Sequence, residues 1–313
     1  MTNGGIIGPD NPASLFTATG IWTLTEVYEQ RLKNEWPMPS NPNITVQYLV
    51  IGGGGSGGVN VGGGGGAGGL ATGTNLTLLG SQTYTVTVGA GGGRGMQWAY
   101  SGYKGNSSTV ATIVGKAGGP GVGLTTRSGE QVDVGSSGGT YNSTRPNQAT
   151  QGFNGGTGIA GSAAANFNGG GGGSSGVGED GVINTRGGRG GLGTTSTITG
   201  YAIEVGGGGG GSSDARAAAG LNGGTASHGA TAGGKGTTTS DAAVNSGAGS
   251  GGVGYVASGT DGNPYSGAGG SGVVIIRYPN TNSTLLATTG NPTYINTSGS
   301  HVYIFTASGS FTV

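Results

Sequence analysis

The reading of one stretch, QYLVIGGGGSGGVNV at residues 47–61, decides the fold. Apolar, strand-type residues run into Gly52-x-Gly54-x-x-Gly57, the pattern with which a nucleotide-binding βαβ unit begins. Glycine supplies 81 of the 313 residues, so this pattern is expected by chance about five times and carries little weight. A dinucleotide site also needs a helix directly after the glycines and an acidic residue about twenty positions on. Here VNVGGGGGAGG follows, and each glycine costs a helix about 1 kcal/mol relative to alanine. No Asp or Glu stands between Glu35 and Glu130. The sequence predicts extended chain at this point, not a phosphate cradle.

Composition narrows the function further. Only 8% of residues are charged, twelve basic against twelve acidic, which leaves no electrostatic footprint for nucleic acid or an anionic membrane. The chain has no cysteine, so disulfides and thiolate metal sites are excluded. Its longest aliphatic run, Val273 to Ile276, is far too short for membrane insertion. The start, MTNGGIIGPDNP, lacks the basic and apolar regions of a secretory signal. Any work outside a cell would require another route of release.

Three zones follow from composition. Residues 1–43 hold the one convincing helix pattern. Thr23-Leu24-Thr25-Glu26 is a capping box. Leu24, Val27, Tyr28, Arg31 and Leu32 then fall on one side, and Trp36-Pro37 stops the run. Such a helix either packs on its own domain or attaches the chain to a partner, since three turns are marginal alone. Residues 44–279 are the glycine-rich body. Strand-type pieces recur there at 44–51, 84–88, 108–114, 201–205 and 273–278, most running straight into glycine. Residues 280–313 return to ordinary composition, with strands predicted at Tyr294–Ile295 and 302–306 around a turn at Ser298-Gly299. The ending FTASGSFT at 305–312 echoes FTATGIWT at 16–23, which suggests two similar β-turn-β pieces.

A chain this rich in glycine has few ordered fates. Collagen needs strict Gly-X-Y spacing, which is absent. Flexible linkers are seldom studded with apolar residues such as Val59, Val122, Phe153 and Phe167. Threefold extended helices remain. Their amides and carbonyls point outward, and without side chains neighbouring chains can approach closely enough to pair them. Ordering each residue costs about 1–2 kcal/mol, and glycine has no side chain to bury in return. Many cooperative backbone bonds, anchoring strands and an oligomer are therefore expected. The fold class predicted is mostly β with irregular extended structure: short strands framing a stack of polyglycine II helices, plus one short N-terminal α-helix. Asparagine–glycine pairs in Phe153-Asn-Gly-Gly and Phe167-Asn-Gly-Gly predict chain reversals.

Catalytic motifs are weak. Gly54-Gly-Ser56-Gly-Gly58 and Gly172-Gly-Ser174-Ser-Gly176 match a nucleophile elbow, which requires a following helix and an activating histidine. The only histidines are His228 and His301. The stretch 229–235, ending in Lys235, nearly matches a phosphate loop, but Gly236 replaces the magnesium-holding Ser or Thr. No catalytic residue, metal site or cofactor is expected. Aromatic residues outside the strand pattern carry the binding prediction. Trp98, Tyr100 and Tyr103 cluster between glycines, Tyr141 and Arg145 share a second segment, and Tyr265 follows Asn263-Pro264. Such residues either form recognition loops or cover the glycine stack or a subunit interface.

Four segments in order, YLVIGGGGSGG at 48–58, YTVTVGAGGG at 84–93, GNSSTVATIVGKAGG at 105–119 and GGSGVVIIRYP at 269–279, resemble the glycine-rich domain of tailed-bacteriophage tail-fibre and tail-tip proteins. The ending HVYIFTASGSFTV is similar to a short β element that accompanies such domains. The start, GIWTLTEVYEQRLKNEWP, looks like N-terminal segments of structural proteins from phages of marine bacteria, including cyanobacteria. The resemblance implies a non-enzymatic virion protein, exposed outside the host cell and built as a rigid polyglycine II slab whose far-end loops touch a bacterial surface receptor. It implies a homo-oligomer, with a trimer favoured. Trp22, Leu24, Val27, Tyr28, Leu32 and Trp36 would then attach the chain to other virion or tail proteins. Trp98, Tyr100, Tyr103, Tyr141, Arg145 and Tyr265 would be the receptor contacts. A head decoration, head fibre or adaptor without receptor contact is the alternative, and a self-assembling extracellular filament a third.

Overall fold

The computed structural model describes Thr25, Tyr28 and residues 42–96, 100–124, 132–141, 148–161, 165–216, 221–255, 264–297 and 299–313. Thr25 and Tyr28 are helical and exposed. The capping box apart from Thr25, the FTATGIWT copy and Trp22, Leu24, Val27, Leu32 and Trp36 lie outside the described residues, as do Trp98 and Arg145.

Strand β1 (Ile44–Ile51) alternates buried and exposed over its first four residues and is buried on both faces from Leu49 on. Ile44, Val46 and Val50 point into one core, Leu49 and Ile51 into another on the opposite face. It lies in an antiparallel five-stranded sheet between β2 (Leu70–Leu78) and β10 (Val273–Pro279), followed by β13 (Ser300–Phe305) and β12 (Thr293–Thr297). A second five-stranded sheet has the order β11 (Ala287–Thr288), β14 (Gly309–Thr312), β3 (Thr83–Thr87), β4 (Ser108–Val110), β5 (Ile113–Gly115). The two sheets share a core in which Val46, Val50 and Ile276 of the first meet Val86, Val110 and Phe311 of the second. Each such aliphatic or aromatic side chain contributes about 1.5–3 kcal/mol by leaving water. The C-terminal residues do not stand apart, because β13 pairs with β10 and β14 with β3.

Several strands continue directly into glycine. Residues 52–59 follow β1, 62–69 lead into β2, 116–123 follow β5, and 265–272 lead into β10. In these threads the partner changes with every residue and returns every third. The amides of Gly52, Gly55 and Gly58 donate to the carbonyls of Gly69, Gly66 and Gly63 (3.2, 2.9 and 2.9 Å). Those of Gly53, Ser56 and Val59 donate to Asn106, Tyr103 and Tyr100 (2.8, 3.0 and 2.8 Å), and Gly54 donates to Gly270 (2.9 Å). A β-strand would repeat every two residues; a period of three is that of the polyglycine II helix. The carbonyls of the same thread accept along three further directions. Gly118 and Gly121 donate to Gly53 and Ser56, Ser250 and Val253 to Gly55 and Gly58, and Gly92 to Gly54. Residues 52–59 are thus ringed by 62–69, 101–107, 265–272, 116–123, 246–254 and 89–95, a hexagonal packing.

The 62–69 thread is ringed in the same way. It donates to 246–254, 116–123 and 167–173 and accepts from 52–59, 134–141 and 206–214. At its glycine positions such packing leaves no room for a side chain. A Cβ at Gly64 would lie 2.0 Å from the Gly209 carbonyl oxygen, and one at Gly55 2.1 Å from that of Gly119.

Some expectations need correction. The predicted single strand at 108–114 is two strands, β4 and β5, joined at Ala111, whose φ of 50° turns the chain. The segment 201–205 is shorter than expected: β9 (Ile203–Val205) pairs with β8 (Thr194–Ser196), and this hairpin covers the outer face of the first sheet through Ile198, Ile203 and Val205. The two Phe-Asn-Gly-Gly segments are not reversals. Asn168 lies inside a thread, where its Nδ2 donates to the Ser212 hydroxyl (2.8 Å). Asn154 Oδ1 accepts from the Ala149 amide (2.7 Å). The Asn168 side chain satisfies a neighbouring thread, whereas that of Asn154 closes the bend at 150–152 that precedes it. The first thread instead reverses at Asn60 and Val61, with φ of 55° and 66°.

Candidate functional site

The threads run from the β-sandwich to a far end that holds chain turns and a short hairpin of residues 159–160 paired with 166–167. The Asn60–Val61 turn lies there. Tyr100 sits beside it, its carbonyl accepting from Val59. Tyr100 has a φ of 54°, a left-handed conformation costly for a non-glycine residue. Tyr103 lies one helical turn inward, with its amide on the Ser56 hydroxyl (2.8 Å). This bond also accounts for the elbow-like serine: Ser56 is fully buried and serves the lattice.

Tyr265 belongs to the same end through its neighbour. The Ser266 amide donates to the Gly95 carbonyl (3.1 Å), and the Gly95 amide to the Ser266 hydroxyl (2.9 Å). The Tyr265 ring lies 5.0 Å from the guanidinium carbon of Arg94. Arg94 is held bidentately by Asp241, Nε to Oδ1 at 2.9 Å and Nη2 to Oδ2 at 2.7 Å. Arg94 and the Ala268 amide (2.8 Å) keep the Asp241 carboxyl below the usual carboxylate range.

A second cluster repeats this chemistry. Arg216 donates through Nε (3.0 Å) and Nη2 to the two oxygens of Asp214 and lies 4.2 Å from the centre of the Tyr255 ring. Asp214 is completely buried and also accepts from Asn166 Nδ2 (3.3 Å). The ion pair with Asp214 raises the pKa of Arg216, and Tyr141 is near enough to add to that effect. The far end therefore presents two guanidinium groups, each locked by a carboxylate and stacked on a tyrosine. Arg–Asp–Tyr units of this kind are rigid, half-exposed anchors in which the planar fork loses little freedom on contact.

The structure thus brings Tyr100, Tyr141 and Tyr265 to one end, with Tyr103 a turn behind. Arg94, Asp241, Asp214, Arg216 and Tyr255 were not foreseen. Tyr255 carries the signal used for the others, an aromatic beside glycine, and Asp214-x-Arg216 is readable as a local turn because the Arg216 amide donates to Asp214 Oδ1 (3.0 Å). Nothing local pairs Arg94 with Asp241. Among the described residues no group of His, Cys, Asp and Glu could hold a metal ion, and no helix is long and apolar enough to cross a membrane.

Residues 31–279 match a family model described as a glycine-rich domain. A comparison with curated proteins gave no match.

Proposed function

The chain belongs to the glycine-rich domain family, and on that premise we propose that it is a bacteriophage virion protein, a tail-fibre or tail-tip subunit that binds the bacterial surface. The observation that carries this reading is the division of the molecule into two ends. A β-sandwich closes one end, and the other gathers Tyr100, Tyr141 and the two Arg–Asp–Tyr units. A bundle pinned by backbone bonds along every thread transmits position without flexing, which suits a contact made away from a particle. Aromatic and arginine anchors dominate binding energy at protein interfaces. In this reading the segment before residue 44, with Tyr28 exposed on its helix, joins other virion proteins. The subunits assemble as a homo-oligomer, with a trimer favoured.

The test is binding of the purified full chain to a panel of bacterial strains, with phage particles labelled by antibody to the chain. Saturable binding to a susceptible strain, reduced at least tenfold by Tyr100→Ala with Tyr265→Ala at an unchanged melting temperature, supports the adhesin. Label on the capsid shell with no cell binding would favour head decoration instead.

A further inference from the structure

We propose that a cleft beside the sandwich, around Arg277, binds one carboxylated sugar unit. The cleft holds about 290 Å³ between the outer face of the first sheet and residues 196–198, next to the β8–β9 hairpin. A bulge in the edge strand helps shape it. Val46 pairs with Leu76 and Tyr48 with Gly73, so Thr74 and Asn75 face the single residue Gln47. A bulge bends its strand at that point.

Arg277 stands on the central strand β10 and is partly buried. Its Nη1 donates to the Ile198 carbonyl (3.3 Å). Arg94, Arg186, Arg189 and Arg216 each have a carboxylate within 3.9 Å. Among the described residues Arg277 has none, and the cleft contains no Asp or Glu. A guanidinium without a counter-charge keeps a fork of donors that fits a carboxylate through two parallel bonds. The single positive charge matches a monoanion, whereas a phosphate dianion would leave one charge unmatched. Around it stand Gln47, Thr72, Thr74, Ser196 and Thr197, whose hydroxyls and amide can both donate and accept. That is the complement of a ring carrying several hydroxyls and one acid group. The volume sits at the lower end of ligand pockets, about 300 Å³, room for one such ring. The site lies on the sandwich side, away from the loop face, and does not depend on the proposed receptor role.

The experiment is an amide NMR titration of the full chain with glucuronate, galacturonate, glucose and acetate. The expected result is saturable shifts at Thr72, Thr74 and Ser196 with at least one uronate, none with glucose, and binding at least tenfold weaker with acetate. Arg277→Met should weaken uronate binding at least tenfold. If that variant fails to fold, Arg277→Lys, which keeps the charge and loses the fork, should weaken it several-fold. No saturable shift with either uronate, an equal response to glucose or acetate, or unchanged affinity in the folded variant would overturn the proposal.

Discussion

Gly57 reaches Gly267 only through the hydroxyl of Ser250, which accepts from the Gly57 amide at 3.0 Å and donates to the Gly267 carbonyl at 2.5 Å. One turn earlier, the Gly54 amide meets the Gly270 carbonyl directly. The side chain is fully buried and substitutes for a direct lattice bond. Thr239 does the same between the Gly267 amide (3.0 Å) and the Gly251 carbonyl (2.9 Å). Ser250→Ala leaves two buried backbone groups unpaired, each costing about 1–3 kcal/mol. A loss of about 2–4 kcal/mol in urea denaturation is expected after partial relaxation. An unchanged midpoint would contradict the bridging role.

Gly64 and Gly93 separate tight packing from glycine content as such. At Gly64 a methyl group would meet backbone oxygen at 2.0 Å, while at Gly93 nothing lies within 4 Å. Gly64→Ala should cost more than about 3 kcal/mol or prevent folding. Gly93→Ala should be neutral, or stabilise by up to about 1 kcal/mol through the unfolded chain. Paired thermal melts distinguish them, and equal effects would argue against close-packed threads.

Asp241 makes the fold sensitive to acid. Its folded pKa lies below the unfolded value because Arg94 and the Ala268 amide favour the carboxylate. Its contribution is therefore complete above the unfolded pKa of about 4 and is lost as pH falls through the folded value. Wild type should lose more melting temperature between pH 6 and pH 3 than Asp241→Asn, which has no charge to lose. Identical losses would show that this ion pair does not couple to folding.

Tyr100 separates stability from binding. Its left-handed backbone, with a φ of 54°, is easier for glycine by about 1 kcal/mol. Tyr100→Gly should therefore melt at the same temperature or higher, while cell binding falls at least tenfold. A stable variant that binds cells normally would remove Tyr100 from the contact surface.

Local pattern revealed some elements and hid others. The period-two burial at the start of β1 and the aliphatic run of β10 were legible because each residue's own chemistry fixes its face. Strand β2 was missed: LATGTNLTL has Gly73 at its middle and few buried residues. That glycine makes room for the Tyr48 ring, whose hydroxyl lies 2.6 Å from where a Cβ would stand, a cross-strand relation that no window on β2 contains. The turn at Ala111 carries no turn residue. Phe167-Asn-Gly-Gly reads as a turn locally, and only the distant Ser212 makes it a thread.

The candidate site divides on the same line. The tyrosines were visible as aromatics outside any strand period. Arg94 and Asp241 are 147 residues apart and meet only because the bundle brings the two threads side by side. Most of the lattice is of this non-local kind, so composition could specify its type of helix but not its neighbours.

Amide hydrogen exchange, resolved residue by residue along 187–192, tests the threefold packing at an outer thread. Gly187, Gly188, Gly190 and Gly191 donate to Asn222, Asn168, Thr225 and Gly171, while the amides of Arg189 and Leu192 have no acceptor among the described residues. Polyglycine II packing predicts that Arg189 and Leu192 exchange quickly and the other four on the order of a hundredfold or more slowly. Protection alternating every second residue, or six amides exchanging alike at the rate of open coil, would contradict it.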